Sequence, residues 1–362
     1  MCSYGGLPHY DMYDIVNGSN ETSAVYPVQE MSDCTLHDLQ SSFILYILPT
    51  LVVIGTIGNI LTVIVIKKTK LCEFSVGFYL YVYAIDNLLT LFVAYGLAWL
   101  SHIADIPEVE NLSDWICRLW SFLYRMVMHS GIWFVTAALI DRYISVTHPD
   151  KAMAMCQVFM SKIAVLIILI GMVVISVHGM WTYELNYSGV CHPNLDDLHY
   201  KIWRWTSALC YTFVPMCILF VLSLMLLCGM CTRHQNPRVT MRDTDPSDLV
   251  TLVLSLAIIF LVLSLPATIV NIVYTNLSRE YLQDYEYMNK FGIVQHVTNG
   301  LTCGNPVVLF FVCVFFSPSF RQEIKHLCLR WRKSTRSTAA NEMKSNDGGG
   351  HLVESQSNDT LL

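Results

Sequence analysis

Three groups of side chains in this sequence carry chemistry that an apolar environment makes expensive. Asp86 stands in YVYAIDNLL as the one formal charge of a long apolar stretch. A carboxylate at that depth must be paired, hydrated or protonated, so it marks a functional site by default. Arg118, Phe122, Arg125 and His129 recur at i, i+4, i+7 and i+11, on one face of a helix. Two guanidiniums and an imidazole facing lipid would be costly, so that face is expected to turn inward. In LIDRYISVTHP an acid, a base and a phenol, Asp141, Arg142 and Tyr143, close an apolar run just before Pro149 breaks the chain. No HExxH, GxSxG or paired-carboxylate pattern accompanies them, so no catalytic residue, metal ligand, cofactor or nucleic-acid partner is assigned and an enzyme is not expected.

The elements that position these groups are long and apolar. Of 362 residues, 54% are hydrophobic and 14% charged, where soluble domains run to roughly 25% charged. Apolar stretches lie near 43–66, 74–100, 116–144, 163–181, 205–229, 249–275 and 291–316. About 20 helical residues at about 1.5 Å each cross a hydrocarbon core of about 30 Å. Lipid-exposed backbone must satisfy its own polar groups, and the short alternating segments of a barrel are missing, so the stretches read as helices. The expected fold class is an all-α membrane protein, a seven-transmembrane helix bundle with a short amphipathic juxtamembrane helix. Its parts are an extracellular N-terminal tail (1–42), the bundle (43–317), a membrane-surface helix (318–333) and a disordered cytoplasmic tail (334–362).

Charge orients the bundle. Of 22 Lys and Arg, 16 fall on the side of Lys67, Lys68 and Lys70, which the positive-inside rule makes cytoplasmic, leaving the N-terminus outside. The sequons at Asn17, Asn20, Asn111, Asn186 and Asn276 all fall on the outer side, as glycosylation requires. The sequon at Asn358 lies in the cytoplasmic tail and reads as a chance match. Of 13 cysteines, Cys2, Cys34, Cys117 and Cys191 lie on the oxidising side. A Cys117–Cys191 bridge would pin the loop after span four over the mouth of span three, and Cys2 with Cys34 could form a second. PSFRQEIKHLCLRWRK alternates Phe320, Ile324, Leu327 and Leu329 with bases and suits the anionic lipid surface, with Cys328 a candidate for palmitoylation.

Within the bundle, Asn59 and Asn305 are natural partners for Asp86, and Pro215, Pro266 and Pro306 can bend spans five, six and seven. Cys117 and Arg142 are 25 residues apart, about 37 Å of helix, so one helix carries its cysteine outside and its Asp-Arg-Tyr inside, where Arg142 can reach water or a partner. No internal repeat appears, which weakens a transporter or channel built around Asp86, Arg125 and His129.

These features together resemble the rhodopsin-like (class A) G-protein-coupled receptors over about residues 43–333. The residues that carry the resemblance are Gly58-Asn59, Asp86, Cys117 with Cys191, Asp141-Arg142-Tyr143, Pro215, Phe260 with Pro266, Asn305-Pro306 and Phe320-Arg321. The resemblance implies a plasma-membrane receptor. In it, Arg142 is held by Asp141 at rest and released to a heterotrimeric G protein when span six swings outward. Arrestin is implied as a further partner through Ser334, Thr335, Ser337 and Thr338. The sequence departs from the family at Ser264, where a tryptophan usually stands, and at Leu309 and Ser223, where tyrosines do; the central tryptophan of span four is also missing. Asp243, Asp245 and Asp248 are offered as partners of Arg142 ahead of span six.

Tyr124 stands where amine receptors carry an aspartate, and Asn299 where opsins carry the retinal lysine, so neither an amine nor light is expected. GIWFVTAALIDRYISVTHP and NILTVIVI resemble receptors for short neuropeptides, particularly FMRFamide receptors and related orphans. The acidic outer surface would steer a basic, amidated peptide toward Tyr124, Arg125, His129, Gln295 and Asn299. The alternative within the fold is an atypical receptor, scavenging or arrestin-biased, without G-protein coupling. The C-terminal Thr360-Leu361-Leu362 fits capture by a PDZ domain.

Overall fold

A computed structural model of the chain describes residues 38–68, 70–193, 202, 205–206, 208–235, 247–275, 285–318, 320–327 and 329. Six helices are each long and apolar enough to cross a membrane: Asp38–Lys68, Ser75–Ala104, Asp114–Thr147, Val158–Thr182, Ala208–Met230 and Asp248–Tyr274, here spans one to six. Tyr287–Thr302 and Asn305–Phe316, bent by 40° at their junction, make span seven. Hydropathy placed the start of span one at Phe43, but the chain is already helical at Asp38, the first described residue, because helical backbone can continue through polar residues where the apolar surface has already ended.

Prolines shape the bundle where the sequence places them. Pro306 opens the second half of span seven as an N-terminal helix residue, a position that needs no N–H donor. Pro215 follows a π-helical turn over Ala208–Phe213, and Pro49 follows another over Phe43–Ile47. In both, the missing proline donor leaves a carbonyl one turn back that the wider turn accommodates. Pro266 stays inside continuous helix. Span three starts on Ser113, whose hydroxyl accepts from the Ile116 N–H at 3.3 Å, an N-cap strengthened by Asp114 in the first turn. It ends at His148, which has left the helical region (φ −133°, ψ 69°), as the residue before a proline tends to do. Pro149–Met155 then forms a short helix.

After span four the chain forms a hairpin of β1 (Tyr183–Leu185) and β2 (Cys191–Pro193), antiparallel with Leu185 opposite Cys191. Gly189 supplies the positive φ (+76°) that its turn requires. Three ties fix the hairpin over span three. Cys191 is disulfide-bonded to Cys117, Asp114 Oδ1 accepts the Leu185 N–H at 3.2 Å, and Asn111 Oδ1 accepts the Cys191 N–H at 2.8 Å.

The main hydrophobic core occupies the half of the bundle toward Arg142, draws on all seven spans, and reaches Phe320. Residues 320–327 are helical. Phe320 is fully buried, and Ile324 and Leu327 pack on the core, while Leu329 is 55% exposed. Arg321 donates to the Val314 and Phe315 carbonyls, closing the end of span seven. A second core at the disulfide end joins Phe43, Ile44, Leu48, Leu91, Tyr95 and Cys303.

Candidate functional site

At the Arg142 end, span three presents Asp141 and Arg142 to the start of span two. Arg142 donates to Asp141 Oδ2 through Nη2 at 2.6 Å and Nε at 3.1 Å, and Ser75 donates to the same oxygen at 2.8 Å. Arg142 is 2% exposed and Asp141 6%. The sequence placed Arg142 where it reaches water; in this state it does not, because the pair is folded back against span two. Ser75 gave no signal in the sequence, since it lies 66 residues from Asp141 and reads as an ordinary helix-start serine. Tyr143 turns elsewhere, its ring 6.5 Å from that of His148. Asp248 forms no ion pair with Arg142 among the described residues. Asp243 and Asp245 lie outside the described residues.

Midway along the bundle the polar residues pair differently from the expectation. Asp86 accepts a short hydrogen bond from the Ser130 hydroxyl of span three, not from Asn59 or Asn305. Asn59 instead donates to the Pro306 carbonyl at 2.7 Å and to Gly55 O, and accepts from Asn87 at 3.1 Å. Asn305 donates to the Ser264 hydroxyl at 2.8 Å, and its own carbonyl accepts from the Tyr83 hydroxyl at 3.4 Å. The break in span seven thus draws side chains from spans one, two and six, and the two asparagines serve the break, not the acid. Phe260 packs against the main core beneath Pro266.

At the disulfide end, the charged face of span three does turn inward, toward spans four and five. Arg118 pairs with Asp114 at 2.9 Å and donates to the Met180 carbonyl. Arg125 Nη1 meets His178 Nε2 at 2.9 Å, and its guanidinium lies 4.5 Å from the centroid of the Tyr183 ring in β1. His178 Nδ1 bonds the Ile175 carbonyl and therefore carries the proton, which leaves Nε2 to accept from Arg125. His129 stacks flat on Tyr211 at 4.4 Å, and the Tyr211 hydroxyl meets Ser176 at 2.8 Å. His178, Tyr183 and Tyr211 escaped the sequence reading because each is remote in the chain and lies in no motif.

The five residues named for a ligand are therefore spread around the bundle. Tyr124 belongs to the second core with Tyr95 and Met128. Arg125 and His129 instead meet His178 of span four, Tyr183 of β1 and Tyr211 of span five. Gln295 donates to Asn271 of span six at 3.1 Å, and the Asn299 carbonyl accepts from Thr302. Glu110, beside the hairpin anchor, has its carboxyl held above the usual range by burial, which weakens the acidic field at this end. Asn186 stands in the hairpin turn, accepting the Val190 N–H at 2.8 Å. Asn17, Asn20, Asn276, Cys2, Cys34 and Cys328 lie outside the described residues.

The chain that folds into seven spans, with a bridged hairpin at one end and a buried Asp-Arg pair at the other, is similar in sequence to known proteins. Residues 58–314 match the family described as "7 transmembrane receptor (rhodopsin family)". Atypical chemokine receptor 2 of Mus musculus is 24% identical over 350 residues, covering 91% of this chain and 88% of that protein. Neuromedin-U receptor 1 of Homo sapiens is 27% identical over 185 residues, 48% of this chain and 43% of that protein. A probable G-protein coupled receptor of Caenorhabditis elegans is 22% identical over 276 residues, 70% and 63% of the two chains.

Proposed function

Because this chain belongs to the rhodopsin family of seven-transmembrane receptors, we propose that it binds an extracellular peptide at the hairpin end and activates a heterotrimeric G protein at the Arg142 end. The N-terminus faces outside at the plasma membrane, by the distribution of Lys and Arg. The observation that carries the reading is the buried pair itself. An arginine 2% exposed, held by Asp141 near the end of a long helix, is a charge stored away from water. A ligand that favours a state with Arg142 released shifts the equilibrium by its differential affinity for that state. Receptor carrying Arg142→Ala, matched for surface amount, is expected to lose agonist-stimulated nucleotide exchange down to the unstimulated level. Undiminished exchange would remove Arg142 from the coupling surface.

For the ligand, relatives named for chemokines and neuromedin-U favour a peptide over an amine or a chromophore. Arg125, oriented by His178 and Tyr183 beneath the bridged hairpin, is the group that meets the C-terminal carbonyl or amide of the peptide. A charge-assisted hydrogen bond contributes about 1.5–3 kcal/mol, so Arg125→Ala is expected to weaken potency about ten- to hundredfold. The agonist comes from screening short amidated peptides for calcium or cyclic-nucleotide responses in cells expressing the chain. Unchanged potency at preserved surface expression moves the ligand elsewhere.

A second reading, ligand uptake without nucleotide exchange, is favoured by Ser264, Leu309 and Ser223 at the relay positions. One relative is itself named atypical. Internalised peptide with no exchange on any G protein would establish it. Arrestin, the anionic lipid surface and a PDZ domain on the C-terminal Leu362 complete the proposed partners.

A further inference from the structure

The departure at Ser264 has a structural counterpart that the receptor reading leaves unused. Span seven is interrupted between Thr302 and Asn305, and at that interruption Asn305 Nδ2 donates 2.8 Å to Ser264 Oγ of span six. The Ser264 carbonyl accepts from Thr268 Oγ1 at 2.9 Å, one turn on and past Pro266. Span six therefore offers its hydroxyl to span seven at the level where its own backbone ladder lacks a proline donor. Leu263 packs beside Gly304, so the two helices approach closely here. A tryptophan at 264 carries only an N–H donor and so could not accept from the Asn305 carboxamide nitrogen.

We propose that the Ser264–Asn305 hydrogen bond is a catch that holds spans six and seven together in the resting state, with Ser264 a positioning residue that sets how readily the receptor leaves it. The bond forms in the same state in which Arg142 is buried against Asp141. Parting the helices strips a carboxamide donor and a hydroxyl of each other in an apolar interior, where neither finds a ready replacement. Asn305 is braced from the opposite side, since Tyr83 bonds its carbonyl and Asn59 bonds that of Pro306. The mobile partner is thus span six, and the catch is the element that span six must break.

The inference rests on the signalling reading, so its test has one arm that needs no G protein. Full-length receptor in nanodiscs is compared as wild type, Ser264→Ala and Ser264→Thr by amide hydrogen exchange over residues 249–260 and 305–316. Ser264→Ala is expected to speed exchange in both segments by about three- to tenfold, the weight of one neutral hydrogen bond. Ser264→Thr, which keeps the hydroxyl, stays at the wild-type rate. In the second arm, agonist-free nucleotide exchange rises by a similar factor for Ser264→Ala and not for Ser264→Thr. Faster hydrogen exchange without more nucleotide exchange upholds the catch and counts against the coupling reading alone. Unaltered hydrogen exchange in Ser264→Ala, or equal acceleration in both variants, overturns the catch.

Discussion

Receptor carrying Gly77→Ala is expected to fail to reach the cell surface. A β-carbon at residue 77 would lie 1.7 Å from the carbonyl oxygen of Leu71 and 2.5 Å from its carbonyl carbon. Both are backbone atoms of the 3-10 turn Lys70–Glu73, so no rotamer change relieves the clash. The same Leu71 carbonyl accepts the Phe74 N–H that feeds the chain into span two. Displacing it moves Ser75, and with it a donor to Asp141. Overpacking of this kind costs about 3 kcal/mol or more where the backbone must yield. Gly171→Ala is the control, since nothing lies within 4 Å of a β-carbon there. Surface immunodetection checks both, and a Gly77→Ala receptor present at wild-type level would contradict the close approach of the Leu71 turn to span two.

The contrast between these two glycines shows what the sequence could and could not convey. Spans were readable because burial in lipid imposes one-dimensional hydropathy, which needs no partner to be recognised. The proline at the span-seven break and the turn at Pro149 were readable because proline acts on its own backbone. Ser75, Ser130, His178 and Ser264 were not. Each matters through a partner from 41 to 66 residues away, and a serine or histidine in a helix looks the same with or without one. Asn59 and Asn305 show the same limit from the other side. Their chemistry invited a bond to Asp86, but a carboxamide serves equally well for backbone carbonyls, and the interruption of span seven supplied one at Pro306. Ser264 read only as a missing tryptophan until its acceptor role became visible.

On the proposed coupling to a G protein, the largest effect on signalling is expected from Asp141→Asn. Asp141 Oδ2 alone takes donors from Arg142 Nε and Nη2 and from Ser75. An asparagine keeps the shape but brings no charge, and its amide nitrogen cannot accept from the guanidinium. Removing one partner of a buried ion pair costs about 3–5 kcal/mol, because the remaining charge is left uncompensated. Moving a two-state equilibrium from 1:99 to 99:1 takes about 5.5 kcal/mol, so a penalty of this order carries a rarely visited state to a large share of the population. Arg142 escapes the penalty by leaving its buried seat for water or a G protein, so agonist-free nucleotide exchange should approach the level that agonist produces in the wild type. Detergent-solubilised receptor should also lose thermal stability, since the resting state bears the cost. Ser75→Ala removes a donor to Asp141 and the weaker acceptor that Ser75 offers Arg142 Nη2 at 3.4 Å, but leaves the ion pair itself intact, so at about 0.5–1.5 kcal/mol per hydrogen bond its basal exchange should rise far less. Exchange assays at matched receptor number separate the two variants. Equal effects would mean that Arg142 is retained by packing rather than by charge, and a silent Asp141→Asn would mean that releasing this arginine is not the step that opens the receptor to its G protein.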